Sequence, residues 1–410
     1  MQRLFPVLVV LFLGYLGFSL ALPIFPPLFL DLKWSFLSPN VSTATRRILL
    51  GVLFAMYPMG QFLGAPMMGK LSDKYGRKPI LLISLLSIIP GYVGAALSVV
   101  YQLPLLLFLS RFWVGLLEGN MTIAQAAITD IAEDEKTKIK NFSWMVSLSS
   151  SAFFFGPLIG GSLADSKLVA WFQFDTPFWF GALAVFVGFL IVWISFRETH
   201  SADQTVVIDL RYLLLSFFES VKVKRLQLIF AANLCFFLAI FFFLNFLSSY
   251  FLILFQFNVA QLGKISAYLA FLVLIAPLFF KLMARFWSVT QTAMMGSMCM
   301  GLSLFIFLFP SSLYALIVTL IPLGFFTAVG FAYPALMISN AVSKNNQGQA
   351  LGANMAIQFF GEGATAIFGG CLAVFWIGLP NLMGGFFALI GGLILIVENK
   401  RSRRSNAQKI

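Results

Sequence analysis

Apolar residues dominate the chain in long uninterrupted runs, and polar residues gather in the gaps. The runs lie near residues 4–30, 47–68, 80–100, 103–125, 142–163, 177–196, 226–250, 262–283, 288–309, 312–336, 350–373 and 380–397. Each is long enough to cross a hydrocarbon layer about 30 Å thick as a helix. A lipid-embedded backbone must satisfy its own hydrogen bonds, so helices are the expected form. The pattern predicts an all-α integral membrane protein with twelve transmembrane helices. The polar stretch 197–225 parts six helices from six. It defines an N-terminal bundle at 1–196, a linker at 197–225, a C-terminal bundle at 226–397 and a basic tail at 398–410. The first run opens at Leu4 with no small-residue cleavage site behind a short core. It reads as a retained helix, not a removed signal.

Composition agrees with this picture. Of 410 residues, 60% are hydrophobic and only 10% charged, which a soluble domain rarely shows. Cys235, Cys299 and Cys371 sit far apart inside apolar runs, so neither a disulfide nor a metal site is expected. The single histidine, His200, lies in a polar loop. Proton chemistry inside the membrane therefore falls to carboxylates. No nucleophile–base set and no phosphate-binding loop occurs, which argues against an enzyme and against ATP drive. No cofactor is expected.

The formal charge of +12 raises the question of nucleic acid. Its distribution answers otherwise. With a cytoplasmic N-terminus, twenty-one of the 27 cations fall on the cytoplasmic side and five, Lys33, Arg46, Arg47, Lys167 and Lys264, on the other. That bias predicts both termini in the cytoplasm, with the positive charge serving topology. The expected surroundings are a cell membrane, of the bacterial inner-membrane type, and no nucleic acid.

The two halves align by hand. "RFWVGLLEG", "ITDIAE" and "GPLIGG" in the first match "LIPLGFFTA", "ISNAVS" and "TAIFGG" in the second. Gly115 to Gly160 and Gly324 to Gly369 are each 45 residues, and Gly115 to Asp130 equals Gly324 to Ser339. The string "KLSDK" at 70–74 has a fainter echo in "KLMAR" at 281–285. Such a repeat puts a substrate path near the midplane between repeats.

The stretch "GKLSDKYGRKP" at 69–79, between the second and third runs, resembles the signature loop of the major facilitator superfamily. "RFWVGLLEG", "AFFFGPLIGG" and "RET" at 197–199 resemble further motifs of its twelve-helix drug:proton antiporter group, which includes the tetracycline exporters. The chain departs from the exporter motif at Phe153 and from a second signature loop at Ala284. The resemblance implies alternating access by a monomer that moves a small molecule with protons. It also implies a gating loop of Gly69, Asp73, Gly76, Arg77 and Lys78. There the two glycines allow a sharp turn, and Asp73 faces the helix start near Gly348. Lys70 and Lys74 hold the loop at the inner surface.

Three ionisable residues fall inside runs: Arg111, Glu118 and Glu362. Each costs at least ~2.5 kcal/mol at the bilayer centre and should face an internal, wet space. Arg111 and Glu118 are two helical turns apart, roughly 10 Å. Glu118 and Glu362 are candidates for proton coupling or substrate contact, against the plainer alternative of a structural polar network. Arg111 is a weaker candidate, and Asp31 a residue of the outer mouth. Asn120, Gln125, Asn233, Asn245, Gln358 and Asn354 either line a cavity or bond neighbouring helices. Trp113, Tyr57, Phe154, Phe359 and Tyr333 would suit an apolar ligand. Gly156, Pro157, Gly160 and Gly161 predict close helix packing. The expected function is proton-coupled export of an amphipathic compound. The alternative is transport of an anionic metabolite or siderophore-like chelate, with Arg111 as its contact.

Overall fold

The computed structural model describes residues 3–32, 36–132, 134–200, 202–203, 226–342 and 347–407. Most of the linker, Lys33, Lys344 and residues 408–410 lie outside them, as do the side chains of Lys136, Lys138, Lys281, Arg403 and Arg404 and the surroundings of Gly348.

The first half holds α1 Phe5–Leu20, α2 Phe25–Leu30, α3 Thr43–Tyr75, α4 Arg77–Val100, α5 Pro104–Leu117, α6 Met121–Ile131, α7 Glu135–Leu163 and α8 Thr176–Ser195. The second holds α9 Gln227–Phe255, α10 Val259–Ile275, α11 Phe280–Phe286, α12 Val289–Phe307, α13 Leu313–Ala341, α14 Gln347–Phe375 and α15 Leu379–Ala407. No strand occurs among the described residues. Among the described residues, eleven stretches are long and apolar enough to cross a membrane. The twelfth expected span, 103–125, is present but interrupted. A 3-10 turn at Glu118–Asn120 separates α5 from α6. Gly119 and Asn120 are weak helix formers, and a buried carboxylate sits between them and α5.

Helix starts follow side-chain capping. Ser42 accepts from Thr45 N at 3.1 Å, Asp134 from Thr137 N at 2.6 Å and Ser312 from Ala315 N at 3.3 Å. Ser288 and Gln291 form a reciprocal box at α12. Between α3 and α4 the chain turns at Gly76, whose φ of 97° favours glycine. Gly69 lies inside α3, one residue-run earlier than the turn, with only ordinary contact to Thr122. The sharp turn expected of both glycines therefore belongs to Gly76 alone.

The chain forms two compact units. One comprises 1–210 with 251–268, the other 211–250 with 269–410. In the first, α1 packs on α7, α3 on α5 and α4 on α8; in the second, α12 packs on α13 and α15. The first unit is tightened by glycines. A Cβ on Gly60, Gly64, Gly115 or Gly119 would meet backbone of the facing helix along the α3–α5–α6 seam. Gly160 sits likewise on the Leu20 carbonyl of α1, and Gly156 on Ser19. Gly161 and Pro157 lie against Gly263 at the start of α10. Small residues let helices approach where lipid offers no hydrophobic push.

Arg46 is not a loop cation. It is 2% exposed and donates to the carbonyls of Phe29, Leu37, Ser38 and Val41 at 2.8–3.2 Å. It knits the α2–α3 connection and satisfies acceptors that burial would leave bare.

Candidate functional site

Glu118 sits at the break of the fourth span, 2% exposed. Two phenols from different helices hold its two oxygens. Tyr57 of α3 donates to Oε2, and Tyr92 of α4 donates to Oε1 at 3.3 Å. Gln61, one turn beyond Tyr57, donates to the Tyr57 hydroxyl at 3.3 Å. The Arg111 guanidinium lies over the Tyr57 ring at 4.8 Å and the Phe25 ring at 5.4 Å. Tyr57 thus joins Arg111 and Glu118, which the helix rise alone sets two turns apart. Arg111 keeps Nε and Nη1 buried without a hydrogen-bond partner. The α1 backbone completes the enclosure: a Cβ at Gly17 would fall on the Tyr92 hydroxyl.

Asn120 donates to Ser84 Oγ at 2.9 Å. A cavity of about 10 Å³ adjoins Glu118, Asn120 and Gly14, lined otherwise by aliphatic side chains. That is room for about one water. It does not hold a drug-sized molecule, whose sites run to ~300 Å³ or more. Asp31 ends α2 and is not among the groups that contact Glu118. Gln125 is half-buried on α6, and its carbonyl accepts from Thr129 at 3.5 Å.

In the second unit the polar residues of α9 and α14 bond each other. Asn233 donates to Asn354 at 2.9 Å. Asn245 donates to Thr365 Oγ1 and to the Glu362 carbonyl, both at 3.4 Å. Glu362 itself is 6% exposed, and its carboxylate has no hydrogen bond or ion pair among the described residues. Gln358, one turn earlier, is half-buried and likewise makes no side-chain hydrogen bond. The repeat partner of Glu118 is Thr327, 1% exposed with an unpaired hydroxyl.

The charged loop forms a third cluster, at the end of the first unit. Arg77 pairs with Asp73 at 2.7 Å and Asp130 at 3.2 Å, and donates to Ser72 at 2.5 Å. Thr199 reaches the same Asp130 oxygen at 3.4 Å. Glu198 accepts from the backbone of Arg77 at 2.9 Å and Lys78 at 3.0 Å, the first turn of α4. It also accepts from Thr199 and His200. The Lys78 ammonium donates to the Trp193 carbonyl at 3.0 Å. Gly76 supplies no cap side chain, so a carboxylate from another segment does that work.

Partial burial pushes the Glu198 carboxyl up, but the four backbone donors outweigh it and leave it below the usual range. A depressed folded value means that the stabilisation is present above the unfolded value of about 4.3 and lost as pH falls through the folded one. Glu198→Gln is expected to lower stability by about 0.5–1 kcal/mol at pH 7. The gap to wild type should close below about pH 4. Thermal unfolding of the purified protein at both pH values checks this; a gap unchanged on acidification contradicts it.

Twelve spans in two units, with a Gly-turn charge cluster after the second span, suggest one particular family, and residues 7–310 match the Major Facilitator Superfamily. The chain belongs to that superfamily. It is a membrane protein of transporter type rather than an enzyme. The class H tetracycline resistance protein of Pasteurella multocida is 31% identical over 200 residues, 49% of this chain and 46% of that protein. The class E protein of Escherichia coli is 32% identical over 198 residues, 48% and 44% of the two chains. The quinolone resistance protein NorA of Staphylococcus aureus is 29% identical over 212 residues, 50% and 48%. The chain spans about half the length of these relatives. Two solved structures share the fold of this superfamily member over nearly its whole length. The human organic anion transporter MFSD10 aligns with a TM-score of 0.70 at 19% identity, covering 96% of this chain and 99% of its own. The nucleoside transporter NupG aligns at 0.75 and 15%, covering 97% and 99%.

Reading the sequence singled out Glu118, Arg111 and the loop. It assigned no role to Tyr92, Gln61 or Ser84, and offered Tyr57 only as a ligand-facing ring. Asp130 and Glu198 stood inside the quoted strings "ITDIAE" and "RET", which was a usable signal.

Proposed function

We propose that this superfamily member is a proton-coupled secondary transporter that exports an amphipathic small molecule by alternating access, with both termini in the cytoplasm. Glu118 carries the proton. One observation supports this most strongly: a buried carboxylate stands at a helix break, held by two phenols, beside space for one water. Such a group can gain or lose a proton as water reaches it, while the small cavity keeps substrate out. The Asp73–Arg77–Asp130 cluster, with Glu198 on the α4 start, serves as the inner gate. The similarity to tetracycline and quinolone resistance proteins supports the export direction.

The second reading, an anionic cargo, draws on the two unpaired nitrogens of Arg111. Phe25 and Tyr57 cover that guanidinium, and it is 2% exposed. An anion would have to displace both rings, so this reading is the weaker.

The test uses the full chain in liposomes under an imposed pH gradient, with cationic, neutral and anionic compounds added in turn. Proton movement upon addition of at least one compound is expected. Compound flux that ignores the gradient throughout would rule out proton coupling.

A further inference from the structure

Asn120 stands two residues past Glu118, in the turn that breaks the fourth span. A chain of donors fixes its orientation. The Ser84 hydroxyl of α4 donates to the Leu81 carbonyl at 2.9 Å. Its proton is thereby spent, and its oxygen is left as an acceptor. The Asn120 amide nitrogen donates to that oxygen at 2.9 Å. The reverse placement would press the Asn120 carbonyl oxygen against the Ser84 lone pairs, so the network decides which end of the amide points where. The nitrogen faces Ser84, and Oδ1 is turned away from it.

Oδ1 accepts no hydrogen bond among the described residues. Nor is it sealed in, as Nε and Nη1 of Arg111 are. Asn120 and Glu118 line the same cavity of about 10 Å³. Its other walls are aliphatic side chains of α1, α4 and α8, with Gly14 adding none. Each Glu118 oxygen takes one phenol proton and has room to accept another. A water in that space therefore has two polar partners, the Asn120 oxygen and the Glu118 carboxyl, which is what a buried water needs.

We infer that Asn120, oriented by Ser84, is the positioning residue for the water that exchanges protons with Glu118. In the release step the Glu118 O–H bond breaks and its proton passes to the oxygen of that water. A carboxylate remains, held by Tyr57 and Tyr92. The water carries the charge as hydronium, donates one proton in a hydrogen bond to Asn120 Oδ1, and hands another to the next water once the cavity opens. Reloading runs the same steps backwards. A hydrogen bond from a charged donor is stronger than one from neutral water. The amide oxygen therefore steadies the hydronium, yet it is too weak a base to keep the proton. All these residues belong to the first unit. The inference rests on the reading of Glu118 as the proton carrier and adds how the proton gets on and off.

Hydrogen–deuterium exchange of the Glu118 carboxyl reads this step without any substrate. The full chain in nanodiscs, in acidic buffer, is mixed rapidly with deuterium oxide, and the isotope shift of the protonated-carboxyl infrared band is timed. Glu118→Gln identifies the band by removing it. Asn120→Leu keeps the bulk without the acceptor and is expected to slow exchange about tenfold or more. Ser84→Ala frees the amide to rotate and should slow it about 2- to 10-fold. Ser84→Thr restores the hydroxyl and should recover most of that loss, which a role in packing alone would not do. If Asn120→Leu does not purify as a single species, the Ser84 pair decides. Unchanged exchange in Asn120→Leu, or equal slowing in Ser84→Ala and Ser84→Thr, would overturn the inference and leave Glu118 as the proton carrier. A wild type without a band that Glu118→Gln removes defeats both readings. Slowed exchange in Asn120→Leu, in a protein that moves no proton in liposomes, defeats the coupling proposal alone.

Discussion

Glu118→Gln is expected to reduce proton movement to the level of empty liposomes while substrate-for-substrate exchange continues. Glutamine has nearly the shape of a protonated glutamate. Its one carbonyl can still accept from Tyr57 or Tyr92. The variant therefore resembles one end state of the cycle, and its fold should survive. What it cannot do is release a proton. Net export needs that release, whereas exchange of substrate across the membrane does not. The contrast between the two assays isolates coupling from binding and from misfolding. Retained gradient-driven movement in Glu118→Gln would falsify the assignment of the proton to this residue. Loss of exchange as well would mean that Glu118 holds the substrate site open, not the proton alone.

Gly64→Val is the second large effect, and its cause is different. The Cβ of any residue at 64 would fall on the Leu116 carbonyl, and Gly119, one turn further along the same span, also lies against Gly64. Both obstacles are backbone, so no rotamer change relieves them. Overpacking commonly costs about 1–3 kcal/mol, and more when helices must move apart; about 3 kcal/mol or more is expected here. The shift would also carry Tyr57, on the same helix, away from Glu118. Gly69→Ala is the contrast. It lies in the same helix with only ordinary contact to Thr122, and should be neutral or gain up to ~1 kcal/mol from helix propensity. Thermal unfolding of the two variants decides the point. Equal midpoints for Gly64→Val and wild type would show that the seam is looser than its geometry.

These effects mark where reading along the chain stops being sufficient. A run of apolar residues announces a span, but not where the span breaks. Glu118 could be named as costly in lipid from its place in the run, yet the 3-10 turn that seats it depends on Gly119 meeting Gly64, 55 residues away in position and only visible once α3 and that turn touch. Tyr57 and Tyr92 look like any aromatic in an apolar run. Their hydroxyls acquire meaning only from the azimuth at which α3 and α4 face α5. Arg46 shows the same limit from the other direction. It counted with Arg47 among the cations of the non-cytoplasmic side, and the fold turned it inward onto four carbonyls.

The order of residues alone announced the helical membrane spans and the signature loop, and carried the expectation of two sixes and of a cationic side. Each depends on composition over short windows, because a bilayer sorts segments by hydrophobic length and flanking charge. Only tertiary structure decided which polar groups meet: the phenols on Glu118, the carboxylate of Glu198 on the α4 start, and the bare state of Glu362. Those depend on how helices rotate against one another, and small residues at the seams set that rotation through contacts that no local pattern records.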